Sequence, residues 1–256
     1  MQPLEHLANM EYPGRGLIIG QDVSGEHNVV VYFLTGRSAS SKARKFMELE
    51  DGTVKTEVTD EKLILDGNRA LLLYTALVPV GNSVAVSNGA QTDLVAVVFR
   101  DGFSSSDHAV PSRVLEFAFA YRYLVDDGKG GKIDLTTYEP DVPNNTPRIS
   151  GLVLPDAAAM HIVRAGALGK PESKMYGIGY IPGRGALMTT YLGKNLNPLP
   201  SFVGDPLPVE LQQQSAFCTM KAVYGALNPE YQVDVVAIHI NRSTGERRVA
   251  IASRDL

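Results

Sequence analysis

The chain holds a single cysteine, Cys218, among 256 residues. A disulfide framework and a cysteine-based zinc site are both excluded by that count. Long apolar runs are also missing. The longest, Val29–Leu34 and Leu94–Phe99, span about six residues against the roughly 20 a bilayer helix needs. Basic residues are not in excess: 24 Lys and Arg face 28 Asp and Glu, a net charge of -4. A nucleic-acid partner is therefore not expected, because phosphate contacts draw on a basic surplus. A small anion held by a few local arginines stays open. The segment before Arg15 has two acids and no lysine or arginine, the wrong pattern for a secretory leader. A soluble, cytoplasmic protein without a membrane partner is the expectation.

Common motifs are missing as well. His6, His27, His108, His161 and His239 form no His-x-x-x-His pair, so no metal is expected. Gly128-Lys129-Gly130-Gly131-Lys132 lacks the spacing of a phosphate-binding loop and reads as a solvated turn. Neither a dinucleotide fingerprint nor a Gly-x-Ser-x-Gly elbow occurs.

What is present is a globular composition, 44% apolar and 20% charged, enough to build a core. Apolar and β-branched runs predict strands at Leu17–Gly20, Asn28–Thr35, Ala70–Val80, Ser83–Ser87, Ile149–Leu154, Ala159–Ala165, Ala186–Leu192, Val233–Asn241 and Arg247–Ala252. Helical spacing predicts helices at Ser38–Leu49, Thr92–Arg100, Pro111–Tyr123 and Ser215–Leu227. Asp126–Pro147 reads as a long loop. The order β-rich, helical, β-rich predicts an α+β protein of two mostly antiparallel sheets with helices outside. A single domain over residues 1–256 is expected, with an amino-terminal extension over 1–11 and a helix plus hairpin over 212–256. Pro13-Gly14-Arg15-Gly16 recurs as Pro182-Gly183-Arg184-Gly185. Shared turn chemistry explains both copies; the sharper alternative has Arg15 and Arg184 facing one anionic ligand.

Several polar segments sit at predicted strand or helix ends, where sites form. Tyr12-Pro13-Gly14-Arg15-Gly16, Gly36-Arg37-Ser38, Ser87 to Asp93, Asn145-Thr146-Pro147-Arg148-Ile149 and Thr190 to Phe202 occur in this order. Together they resemble the archaeal-type IMP cyclohydrolases, from Tyr12 to about Glu210. The resemblance implies a four-layer αββα sandwich like the N-terminal nucleophile hydrolases, without self-cleavage. It also implies closure of 5-formamidoimidazole-4-carboxamide ribotide to IMP and water, with no cofactor and a homo-oligomeric assembly. Glu139 is then the proton carrier, with Tyr74 and Arg37 as catalytic partners. Asn88, Gly89, Thr92, Asp93, Asn145, Thr146 and Arg148 are the expected substrate contacts. Lys42 stands where the family has an arginine, with Arg44 close by. Two alternatives fit the same residues: an amide hydrolase of the same fold, and a nucleotide binder without catalysis.

Overall fold

The structure, a computed structural model, describes residues 4–64, 69–103 and 109–254. His108, Met1, Gln2 and Met1–Pro3 of the expected extension lie outside them, as do residues 255 and 256. In chain order, helix α1 (Glu5–Ala8) precedes β1 (Arg15–Gln21) and β2 (His27–Thr35). Then come α2 (Ala39–Lys42), β3 (Arg44–Glu48), β4 (Val54–Val58), α3 (Glu61–Ile64) and α4 (Arg69–Leu72). The hairpin β5 (Thr75–Val80) and β6 (Ser83–Ser87) leads to α5 (Gln91–Gly102) and α6 (Pro111–Ala120). A small hairpin follows, β7 (Leu124–Asp126) and β8 (Lys132–Asp134), then β9 (Arg148–Val153), β10 (Ala158–Ala165) and β11 (Pro171–Ile178). The chain ends with β12 (Arg184–Thr189), β13 (Leu207–Glu210), α7 (Ala216–Ala226), β14 (Gln232–Asn241) and β15 (Arg247–Ser253).

Two antiparallel sheets result, ordered β13-β12-β1-β2-β14-β15 and β11-β10-β9-β6-β5-β4-β3. Side chains alternate across a strand, so each strand serves two layers. Leu17, Ile19, Tyr32 and Leu34 of the first sheet meet Phe46, Val86, Ile149 and Met160 of the second. The residues between them point the other way. Ile18, Val31 and Phe33 pack on Met220 and Val223 of α7. Ala85, Leu152 and Ala159 of the second sheet pack on Val95 and Phe99 of α5 and Val114 and Leu115 of α6. The expected pair of antiparallel sheets with outer helices is what the chain forms. No helix among the described residues is long and apolar enough to cross a membrane.

The predicted helix over Ser38–Leu49 is corrected. Its first part is the single turn α2, capped by Ser38, and Arg44–Glu48 is strand β3. Arg44 and Phe46 are buried on alternate positions, and β3 pairs with β4, a strand the sequence pattern did not reveal. Short apolar runs do not separate helix from strand by spacing alone; the pairing partner decides. The expected strand over Ala70–Val80 begins at Thr75, because Arg69–Leu72 closes a helical turn instead. The long loop contains β7 and β8, where Asp127 Oδ1 accepts from the Lys129 and Gly131 amides (2.7 and 2.8 Å). Here the glycine-rich run is a turn, with Gly128 and Gly130 at positive φ.

The repeated Pro-Gly-Arg-Gly is likewise a turn device. Gly14 and Gly183 take nearly the same left-handed φ, 76° and 74°. That conformation carries little penalty for glycine alone. The two arginines do not share a ligand site. In the β1–β12 ladder Gly16 pairs with Thr189 whereas Gly20 pairs with Gly185, which puts Arg184 at the opposite end of β1 from Arg15. Arg15 is buried and Arg184 is exposed.

Candidate active site

The start of β1 and the end of β2 lie at the same end of the first sheet, because Arg15 pairs with Leu34. The end of β6 and the start of β9 lie together in the second, because Ser87 pairs with Ser150. Arg15 bridges the sheets by donating from NH1 to the Asn88 carbonyl (2.9 Å). It also grips Glu139 with both nitrogens, NH1 to Oε1 at 2.9 Å and NH2 to Oε2 at 2.7 Å. Two parallel charge-assisted bonds give this pair both strength and a fixed plane. Glu139 is held from behind by its backbone amide, which donates to the Thr146 carbonyl (2.8 Å).

Arg148 approaches the same carboxylate, NH1 to Oε1 at 3.6 Å, and is 1% exposed. Its NH1 donates to Gln91 Oε1 (2.9 Å), while Nε and NH2 have no hydrogen-bond partner among the described residues. Burial alone would lower the Arg15 pKa, but Glu139, together with Tyr74 and Tyr32, outweighs it, and Arg15 stays well above its ordinary value. For Arg148 burial prevails, and its pKa falls despite Glu139. Arg15 is therefore the tightly held cation of this cluster and Arg148 the strained one.

Above the pair lies a pocket of about 340 Å³. Arg15 and Glu139 reach it, with Tyr12, Tyr191 and Asp141 on its wall; the exposed Arg37 and the buried Arg44 also line it. Asp141 Oδ2 accepts from the Thr146 hydroxyl, which also contacts the Tyr191 hydroxyl. This makes a continuous polar chain from a carboxylate to a phenol. Burial pushes the Tyr191 phenol well above its ordinary pKa, so it holds its proton at neutral pH. Beneath the pocket the Tyr32 and Tyr74 hydroxyls share a 2.7 Å hydrogen bond. Burial, and then Tyr74, drive the Tyr32 pKa well up.

Of the residues expected from the sequence, Glu139, Arg37, Arg44 and Thr146 line this pocket. Tyr74 lies behind it, buried in the core between the sheets. Asn88, Gly89 and Thr92 are buried scaffold rather than lining. Asn88 Oδ1 accepts from the Gln91 side chain and the Ile149 amide (both 2.8 Å), and the Thr92 hydroxyl bonds the Gly89 carbonyl. A Cβ on Gly89 would sit 2.8 Å from Arg148 NH1, so this glycine makes room for the arginine. Asp93 is exposed in the first turn of α5. Asn145 adopts a positive φ of 46° in the loop, and its neighbour Asn144 lines the pocket. Lys42 points away, over the Tyr231 ring at 5.8 Å.

The sequence reading raised Arg15 only as the sharper alternative for the Pro-Gly-Arg-Gly repeat and named no role for Asp141, Tyr12 or Tyr191. Arg15 carried a signal, the Pro-Gly-Arg-Gly motif. Tyr191 lay in the Thr190 to Phe202 segment, whereas Asp141 carried no signal, since nothing in the chain shows that residues 50 apart meet at one hydroxyl.

A buried carboxylate–guanidinium pair beneath a polar pocket with two further arginines has the chemistry to hold a small anionic molecule. Residues 12–119 match the model of the IMP cyclohydrolase-like protein family, which supports the family resemblance over that stretch. The match includes Arg15, Arg37, Arg44 and Tyr74; Glu139, Asp141, Thr146 and Arg148 lie beyond it. No curated protein matches the chain.

Proposed function

We propose that this pocket closes the six-membered ring of a purine-precursor ribotide, 5-formamidoimidazole-4-carboxamide ribotide, to give IMP. In this step the carboxamide nitrogen attacks the formamide carbon and a C–N bond forms. The formyl oxygen then leaves as water, taking one proton from each of the two nitrogens. The reaction requires a held attack geometry, a steadied oxyanion and a proton path.

The observation that carries this reading is the Arg15–Glu139 pair on the pocket floor, with Arg37 and Arg44 above it. Arg37 and Arg44 take the phosphate. Arg15, fixed in its plane by Glu139, presents its cationic edge to the developing oxyanion. The Asp141–Thr146–Tyr191 chain passes a proton to the departing hydroxyl. Glu139 was expected as the proton carrier, but both its oxygens are engaged by Arg15, so its first duty is to orient that guanidinium. Tyr74 acts through Tyr32 and Arg15 rather than by touching substrate. In fold, the helix–sheet–sheet–helix layering supports a likeness to the N-terminal nucleophile hydrolases, without self-cleavage.

Adding the formylated ribotide to purified protein tests the proposal. IMP formation, followed by absorbance and identified by chromatography, is the expected result. Formate release without IMP would instead make it an amide hydrolase, and no turnover of either kind would leave the ring-closing role without support.

A further inference from the structure

Three polar residues cluster at the far end of the first sheet, roughly 20 Å along β1 from Arg15 at about 3.3 Å per residue. Asp22 follows β1, and its amide donates to the His27 carbonyl (3.1 Å) across the hairpin turn. His239 on β14 pairs with Val29, two residues along β2 from His27. Strand alternation puts all three on the outer face, with Ile18 and Val31, beneath α7.

Asp22, His27 and His239 each offer a ligand atom, and these atoms all lie within 4.8 Å of one another. The His27 Nδ1–Asp22 Oδ2 distance is 3.0 Å, close to the roughly 3.3 Å edge of a tetrahedron built on zinc–ligand bonds. His239 is 1% exposed, and its Nε2 lies 2.8 Å from the Thr219 hydroxyl of α7. Its Nδ1 has no hydrogen-bond partner among the described residues. A buried ring nitrogen without a partner carries an energetic cost that a bound ion would remove. When Nε2–H donates to Thr219, the tautomer leaves a lone pair on Nδ1, the usual outer-shell arrangement of a metal-bound histidine. Arg248, a further cation near His239, pairs with Glu246 at 3.2 Å.

We propose that Asp22, His27 and His239 bind a divalent transition-metal ion of the zinc class, with a fourth position open to water. Two imidazoles and a carboxylate are a borderline donor set that suits zinc or cobalt better than magnesium or calcium. The ion would tie the β1–β2 hairpin to β14 and, through Thr219, to α7. The site is separate from the pocket and does not rest on the ring-closing reading.

The test is zinc titration of the full chain, freed of metal by chelator, followed by calorimetry, with cobalt absorbance as an independent readout. One equivalent of zinc should bind and raise the thermal midpoint. His27→Ala and His239→Ala should each weaken binding at least about tenfold. His27 has a side chain 17% exposed, so its variant should fold and decides the matter if His239→Ala does not. Cys218→Ser, on the exposed thiol, should bind as the parent does. Absent binding by the parent chain, binding that survives His27→Ala, or binding lost with Cys218→Ser would each overturn the proposal.

Discussion

Arg15 and Glu139, 124 residues apart, meet in a bidentate ion pair with both side chains nearly out of solvent. Breaking such a pair leaves a buried charge without compensation, which costs about 3–5 kcal/mol. Glu139→Gln should therefore lower the thermal midpoint clearly and, by leaving the Arg15 guanidinium unoriented toward the oxyanion, slow turnover by roughly a hundredfold or more. Although Glu139 lies in a loop, the ion pair ties it to β1, so its loss is felt by the fold. Glu139→Asp, which keeps the charge, should recover part of the stability and less of the rate. A Glu139→Gln chain as stable and as active as the parent would remove Glu139 from both roles.

Arg37 is exposed at the pocket rim, donating to the Asn195 side chain and the Leu196 carbonyl, both at 3.1 Å. Arg37→Ala should leave the thermal midpoint nearly unchanged and raise KM for the ribotide. A lost charge-assisted bond of about 1.5–3 kcal/mol corresponds to tenfold or more. The comparison with the dephosphorylated riboside is decisive. If Arg37 takes the phosphate, the variant and the parent should treat the riboside alike.

Gly14 has a φ of 76°, and a Cβ there would lie 2.2 Å from Thr190 Oγ1 and 2.5 Å from the Tyr191 ring. Gly14→Ala should cost more than about 1 kcal/mol from backbone strain alone. It should also displace Tyr191 and the neighbouring Arg15, so turnover should fall more steeply than stability. Denaturant unfolding alongside kinetics checks both.

Asp234 is buried, accepting from the Phe46 amide and the Ser253 hydroxyl (both 2.7 Å), while Oδ1 has no partner among the described residues. Burial raises its pKa to about 7 against an ordinary 3.8. As pH climbs, the unfolded chain ionises first, so stability is full below about 4 and declines up to about 7. The whole penalty, at most about 4 kcal/mol, applies above that. Asp234→Asn should be more stable than the parent at pH 8 and little changed at pH 4. Unfolding free energies at the two values test this.

His161 runs the opposite way. Its ring is packed on Phe119 at 4.3 Å with Nε2 2.6 Å from the Ser173 hydroxyl, and burial lowers its pKa from 6.5 to about 4. Acid protonates the unfolded chain first, so stability is lost as pH falls from 6.5 toward 4, by at most about 3 kcal/mol. His161→Gln should flatten the acid side of the stability curve. An unchanged slope between those values would place the acid sensitivity elsewhere.

Much of the secondary structure was legible in the chain. The β1–β2 hairpin, the β14–β15 hairpin and helices α5, α6 and α7 all follow from periodicity and turn residues that act over short distances. So did the two antiparallel sheets with helices outside. The strands β3, β4 and β13 were not legible, because each is short and takes its identity from the neighbour it pairs with, and β11, eight residues long, is too polar and exposed to show an apolar pattern. The polar loops marked where a site would form, and Glu139, Arg37, Arg44 and Thr146 do line it. Tertiary structure alone decided which groups face one another. It buried Arg15 against Glu139, turned Lys42 away, joined Asp141 to Tyr191 through Thr146, and set Asp22 and His27 beside His239. Local spacing governs backbone hydrogen bonds a few residues apart. Desolvated charge pairs and shared ligand positions depend on distances that exist only once the two sheets have packed.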